Sequence, residues 1–209
     1  MEAYKTLGKS GESYFEDRRS EFYGFAFPVS TEREALDRIG EIKARFPDAR
    51  HHVYAYSLRE GFCTRYTDDR EPQGSAGMPV LDVLRKGDIV DAAVVVVRYF
   101  GGTLLGTGGL VHAYGTAASE AVKNAGLVLC RPCRRFEVRL SYADYQKWQQ
   151  ISAPYEVVME DTLFESEVCI LGYVPEEGAA SLAVDVTNAT AGRASFLEKD
   201  SCFASVPIL

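Results

Sequence analysis

The sequence predicts a chain of two α+β domains, and three observations carry that expectation. The 209 residues, 46% hydrophobic and 25% charged, suffice for two small domains with cores of their own. Aromatic, alternating segments and capped helical segments are interleaved up to about residue 133. After Pro132 the pattern restarts in the order strand, helix, strand, strand, helix, strand, the split βαβ or ferredoxin-like arrangement. The boundary is placed between Pro132 and Arg135, giving domains 1–133 and 134–209.

The elements follow in order. "SEFYGFAFPVS" alternates and is rich in aromatics, a strand signal. Thr31 then caps "EREALDRIGEIKARF", and Glu34 three residues on completes a capping box. Ala35, Ile39, Ile42 and Phe46 share one face of that helix, which Pro47 and Asp48 end. "HHVYAYSL" and "GFCTRYT", separated by Arg59-Glu60-Gly61, read as a hairpin. "DDREPQGSAGMP" is a polar loop, and "MPVLDVLRKG" is a short helix with Pro79 in its first turn. "DAAVVVVRYF" is a buried strand. Its glycine-rich sequel leads into a helix from about Gly109 to Asn124, Gly126 stops that helix, and "LVLCR" closes the domain as a strand. In the second domain "RFEVRLS" is a strand and "YADYQKWQQIS" a helix. "PYEVVMEDTLF" and "ESEVCILGYV" form a hairpin, "PEEGAASLAVDVTNAT" a helix and "RASFLEKDSCFASVPIL" the last strand.

Several function classes are set aside by composition. The longest apolar run, Ala92 to Val97, is far short of the about 20 residues that span a bilayer. The N-terminal residues lack the apolar region of a signal peptide, so the expected compartment is the cytoplasm. Five cysteines at irregular spacing do not suggest a disulfide framework. Cys130 and Cys133 have CxxC spacing, but no second pair follows to complete a zinc site, and the pair ends a strand where a redox pair would open a helix. Neither a metal nor a cofactor is expected. The net charge of −7 argues against a broad nucleic-acid face. It is unevenly shared, however: residues 1–133 carry 17 basic and 18 acidic side chains, and 134–209 carry 6 and 12. A polyanion site belongs on the first domain.

The chemistry concentrates in "VVVVRYFGGTLLGTGGLVHAY", 94–114. Gly101 and Gly106 have Walker spacing, but Thr107 stands where the phosphate-binding lysine belongs. Gly106-Thr107-Gly108 opens a dinucleotide fingerprint, but Val111 takes the place of its third glycine. Two readings of Gly101, Gly102, Gly106, Gly108 and Gly109 remain. They form an anion-binding nest of backbone N–H groups, or they let the helix lie close to the sheet. Arg98, ending an apolar strand, either pairs with an acid or faces an anion. Tyr99 and Phe100 either stack on bases or pack in the core.

Upstream, Asp68, Asp69 and Glu71 crowd three carboxylates into four residues. They form a metal or acid–base site, or turn and capping contacts that hold the loop together with Pro72, Gly74 and Gly77. No flanking acid has metal-ligand spacing, which favours the loop. His51 and His52 are adjacent in a strand and face opposite sides, so they cannot both join one site. One of them, taken as His51, enters a pocket with Arg98 and Asp69 or, the favoured reading, is a hydrogen-bonded core histidine. No nucleophile motif occurs, and an enzyme is the lesser reading.

Together "DARHHVYAY", "DDREPQGSAGMPVLDVL" and "VVVVRYFGGTLLGTGGLVHAY" resemble the Impact/YigZ family. Its pattern is roughly DDGEPxGTAGxPxL, then VVVTRYFGGIKLGxGGLxRAY, then a second domain, and the resemblance covers nearly the whole chain. It implies an N-terminal domain with the fold of elongation factor G domain IV and of a small-subunit ribosomal protein domain. The C-terminal domain is similar to elongation factor G domain V. It further implies a translation-associated role, since the eukaryotic relatives act in translational control through a partner of the kinase that senses amino-acid starvation. The sequence departs from the pattern at Arg70, which replaces a glycine, and at Leu104 and His112, which replace Lys and Arg. Two cations are thereby missing from the region that would meet a phosphate backbone, and Arg70 offers one back. The expected function is a non-catalytic binding protein that engages RNA, the ribosome or a translation-control protein through its first domain. The alternative is an enzyme or small-anion-binding protein using the same pocket.

Overall fold

The computed structural model describes residues 3–207, which form two compact units, one of residues 4–129 and one built on residues 130–206. The larger unit contains β1 (Tyr4–Leu7), β2 (Gly11–Asp17), β3 (Ser20–Pro28), α1 (Glu32–Arg45), β4 (His51–Ser57), β5 (Thr64–Thr67), α2 (Gly77–Gly87), β6 (Ala92–Tyr99) and α3 (Gly106–Ala125). Its five-stranded sheet has the order β2-β3-β6-β4-β5, with every pair antiparallel. β6 is the middle strand and is covered on both faces. Val94 and Val96 pack with the helices α2 and α3, while Ala93, Val95 and Val97 pack with α1. Burial on both faces leaves no polar alternation, which is why the strand reads as an unbroken apolar run.

The helices follow from local chemistry. The Thr31 hydroxyl accepts the N–H of Glu34 at 3.2 Å, and the Glu34 carboxylate returns to the N–H of Ser30 at 2.7 Å. α1 then buries Ala35, Ile39 and Ile42. α3 buries mainly alanines, among them Ala113, Ala117 and Ala121, so its backbone lies directly on β2 and β3. A Cβ on Gly24 would stand 2.5 Å from the carbonyl oxygen of Ala117. The glycines that admit this helix belong to the strands, not to the loop before it.

Several expected boundaries shift. β1 and β2 are additional strands. β5 is shorter than the expected second hairpin strand because Glu60–Phe62 form a 3-10 turn. α3 starts at Gly106, three residues before the expected Gly109, so part of the glycine run is helix.

The second unit contains most of β7 (Leu127–Leu140), then α4 (Tyr142–Tyr145), α5 (Trp148–Ser152), β8 (Val158–Phe164), β9 (Val168–Pro175), α6 (Glu176–Ala189) and β10 (Ser195–Pro207). β7 corrects the two separate strands expected on either side of residues 132–135. It runs unbroken through Pro132, and the division between the units at 129–130 falls within it. Proline lacks a donor but suits a strand position whose N–H is not needed by the ladder. The helix expected over 142–152 is broken into α4 and α5. In the sheet β9 lies between β7 and β8 and is antiparallel to both, while β10 pairs with β7. β7 and β8 with their connecting helices are therefore a split βαβ unit. Phe136, Val138, Ile170, Leu182 and Val186 form the core. No helix among the described residues is long and apolar enough to cross a membrane.

Candidate functional site

The site begins with strand register. His51, the first residue of β4, pairs with Arg98 near the end of β6. Arg98 continues the Val94 and Val96 side of its strand, and only 5% of it is exposed. A charge there requires a partner. Arg98 Nη1 donates to Glu71 Oε1 at 2.6 Å, and the Tyr114 hydroxyl donates to the same oxygen at 2.8 Å. Nη2 reaches Ser20 Oγ at 3.4 Å, while Nε has no hydrogen-bond partner among the described residues. The guanidinium carbon lies 5.5 Å from the Phe22 ring centroid and 5.7 Å from that of Phe100. Burial, then the Glu71 charge, raises the pKa of Tyr114, so its hydroxyl stays a donor.

The loop between β5 and α2 delivers Glu71. The Asp68 carboxylate accepts the N–H groups of Gly74, Ala76 and Gly77 at 2.9, 3.1 and 2.8 Å, organising the start of α2. Asp69 Oδ2 accepts the His52 N–H at 2.6 Å, and the Asp69 carbonyl accepts His51 Nδ1 at 2.8 Å. That bond leaves His51 Nε2 3.8 Å from Glu71 Oε1. His52 turns the other way and bonds the Phe46 carbonyl. The three carboxylates thus serve separate partners. Among the described residues no group of three or more His, Cys, Asp or Glu could hold a metal.

Above this floor opens a cleft of about 540 Å³. His51, Glu71 and Arg98 line it together with Arg50 and Arg70. Pro72, Phe100, Leu104, Leu105 and Leu110 supply its apolar lining, and Gly106 and Thr107 bring the first turn of α3 to it. The N-cap residue of that helix, Leu105, makes no side-chain capping bond, and no described side chain is bonded to the helix's first N–H groups, which present the positive end of the helix dipole. Gly106 turns the chain into α3 at a φ of 71°. Gly101 has a different task. A Cβ there would stand 2.0 Å from the carbonyl carbon of Arg19, and its N–H bonds Ser20 Oγ at 3.1 Å.

The expected residues therefore separate. Arg98, Arg70, His51, Glu71, Pro72, Gly106 and Thr107 meet at the cleft, whereas Gly101, Gly102, Gly108 and Gly109 lie outside its lining. Tyr99 also lies outside, since successive strand residues face opposite ways. Its hydroxyl donates to Asp48 at 2.8 Å, and burial followed by that bond pushes its pKa up to about 12. Phe100 lines the cleft and is 47% exposed. Arg50 and Ser20 escaped the sequence reading. Arg50 was legible only as a cation beside His51, and Ser20 carries no motif. Cys130 and Cys133 lie in β7 as free thiols, and burial raises the Cys133 pKa to about 11, which makes it a poor nucleophile at neutral pH.

Fold and site together define an antiparallel α+β protein with a cation-rimmed cleft above a buried arginine–glutamate pair. The chain belongs to the Impact family. The Impact N-terminal domain matches residues 18–122, which include the whole cleft. The chain is 32% identical over 199 residues to IMPACT family member YvyE of Bacillus subtilis, covering 95% of this chain and 92% of that one. It is 38% identical over 111 residues to IMPACT family member YigZ of Escherichia coli, covering 50% and 52%. With the Protein IMPACT homolog of Saccharomyces cerevisiae it shares 32% identity over 114 residues, covering 53% and 44%. A crystal structure described as that of an hypothetical protein is similar at a TM-score of 0.60 and 25% identity, covering 96% of this chain and 98% of the other.

Proposed function

We propose that the chain is a binding protein that takes single-stranded RNA on its first unit, seating a backbone phosphate between the first turn of α3 and the guanidinium groups of Arg50 and Arg70. The observation that carries this reading is the uncapped start of α3 at a cleft whose buried carboxylate, Glu71, is already engaged by Arg98 and Tyr114. Free N–H groups at a helix start favour an anion, and arginine forks suit phosphate oxygens. Phe100 offers a base a stacking surface. Arg98 acts here as a support, because its pairing keeps Glu71 from cancelling the charge of the rim. The family resemblance supplies the setting, in which RNA is met on the ribosome or beside a translation-control protein.

Fluorescence anisotropy with labelled oligouridylate across a salt series, with ribosome co-sedimentation alongside, tests this. Binding should weaken with a log–log slope of about −0.7 for each phosphate contacted. Absence of binding at low salt, together with no ribosome association, refutes it. A second reading, an enzyme acting on a small phosphorylated substrate, is favoured by His51. Its Nδ1 is held by a carbonyl, leaving Nε2 available as a base. Complete displacement of the RNA by inorganic phosphate, with an activity lost in His51→Ala, would promote it.

A further inference from the structure

Asp69 and Arg70 are consecutive non-glycine residues with φ of 41° and 71°. L-residues rarely hold this left-handed region, because Cβ crowds the following carbonyl oxygen, and aspartate tolerates it better than arginine. Asp69 has a local reason to be there, since its carboxylate and carbonyl anchor the His52 N–H and the His51 ring. Arg70 has less. Its Nη2 donates to the Arg50 carbonyl at 2.7 Å and its Nε lies 3.7 Å from Asp69 Oδ1, yet 72% of the side chain is exposed. Exposed contacts of this kind stabilise little, so they do not account for an arginine at a strained position.

What the conformation does achieve is placement. The bond to the Arg50 carbonyl puts the Arg70 guanidinium beside residue 50 on the cleft that also receives the uncapped turn of α3. Arg98 lines the same cleft, 5% exposed and with its Nε unpartnered. Backbone strain of this sort persists where a binding site needs it.

We propose that Arg70 sets the phosphate affinity of the cleft, and that the loop holds it in a strained conformation for that purpose. The inference rests on the phosphate-binding reading above, and the ligand group is a phosphate able to accept an arginine fork and helix N–H groups together. Arg70→Gly relieves the strain and removes the fork at once, so stability and binding should move in opposite directions. Its Tm should rise by about 2–4 °C. Its affinity for labelled oligouridylate should fall about tenfold, and the salt slope should shrink by about 0.7. Arg70→Ala keeps a Cβ at the strained position, so it should lose the same affinity without the gain in Tm. Inorganic phosphate as a competitor separates a site for RNA from one for the free ion.

Arg70→Gly that binds RNA with the affinity and slope of the unchanged protein overturns the binding half of the proposal. Arg70→Gly no more stable than Arg70→Ala overturns the strain. Unchanged protein that binds neither probe removes the underlying phosphate-binding reading instead.

Discussion

Each unit contains a buried carboxylate tied to an arginine, and the two pairs are built differently. In the first, both partners are enclosed, with side-chain exposures of 6% for Arg98 and 5% for Glu71. In the second, Asp144 is 3% exposed but Arg193 is 59% exposed. Asp144 accepts Arg193 Nε and Nη2 at 3.2 and 2.8 Å and the Ser141 hydroxyl at 2.9 Å, so its oxygens are amply engaged while the cation keeps its water. Arg98 gives up its water, leaves Nε unpartnered and lines a cleft. The Asp144 pair is a staple between α4 and the segment before β10. The Glu71 pair has a desolvation penalty that fold stability does not require, and such arrangements belong where a surface must be shaped in advance.

The largest effect that tests this contrast is Glu71→Ala. It leaves Arg98 buried without a counter-charge and should cost about 3–5 kcal/mol, read as a lower midpoint in urea denaturation. Arg193→Ala should be milder, because the buried Asp144 carboxylate keeps the Ser141 hydroxyl at 2.9 Å and the Lys147 ammonium at 3.4 Å. Equal losses in the two variants would erase the distinction.

Acid sharpens it next. The hydrogen bonds from Arg193, then Ser141, lower the Asp144 pKa from 3.8 to about 2. A carboxyl with a depressed folded-state pKa stabilises the fold fully above its unfolded value and loses that contribution as pH falls through the folded one. Thermal melts should therefore show a loss of stability between about pH 4 and pH 2 that is shallower in Asp144→Asn.

The smallest effect concerns the two adjacent aromatics of β6 and its sequel. Tyr99→Phe removes the bond to Asp48 and should cost about 0.5 kcal/mol while leaving RNA affinity unchanged. A clear loss of affinity would return Tyr99 to the site.

The legible parts of the fold were those where side-chain chemistry and burial coincide. Thr31 and Glu34 announced α1, and the valines of β6 announced a strand covered on both faces. β2 was hidden for a physical reason. It alternates, but its inward positions include Gly11 and Ser13, kept small by the α3 backbone: the Ser13 hydroxyl bonds the Ala117 carbonyl at 2.7 Å. With glycine and serine at the first two inward positions, only Phe15 on that face carries a hydrophobic trace. Pro132 was read as a break because proline usually is one, yet β7 passes through it.

At the site, Arg98, Glu71 and His51 could each be named from the sequence. A pocket joining His51, Arg98 and the acidic loop was also legible; what was not is that the Asp69 carbonyl orients the His51 ring, since a carbonyl has no sequence signature. The glycine run was the most misleading passage. Half of it begins a helix, and Gly101 answers to the backbone of Arg19 across the sheet.

The central place of β6 also bears on how the protein is made. Its neighbours β3 and β4 emerge first, and Tyr99 lies 42 residues beyond Ser57. At about 5–20 residues per second on the ribosome, the two flanking strands wait roughly 2–8 s for the strand that joins them. During that interval Phe22, Phe25 and Val53, all buried in the finished protein, have no sheet partner from β6 to cover them. Nascent chains halted after β4 has left the exit tunnel but before β6 has done so should be the ones that recruit chaperones, and release should follow once β6 has cleared it.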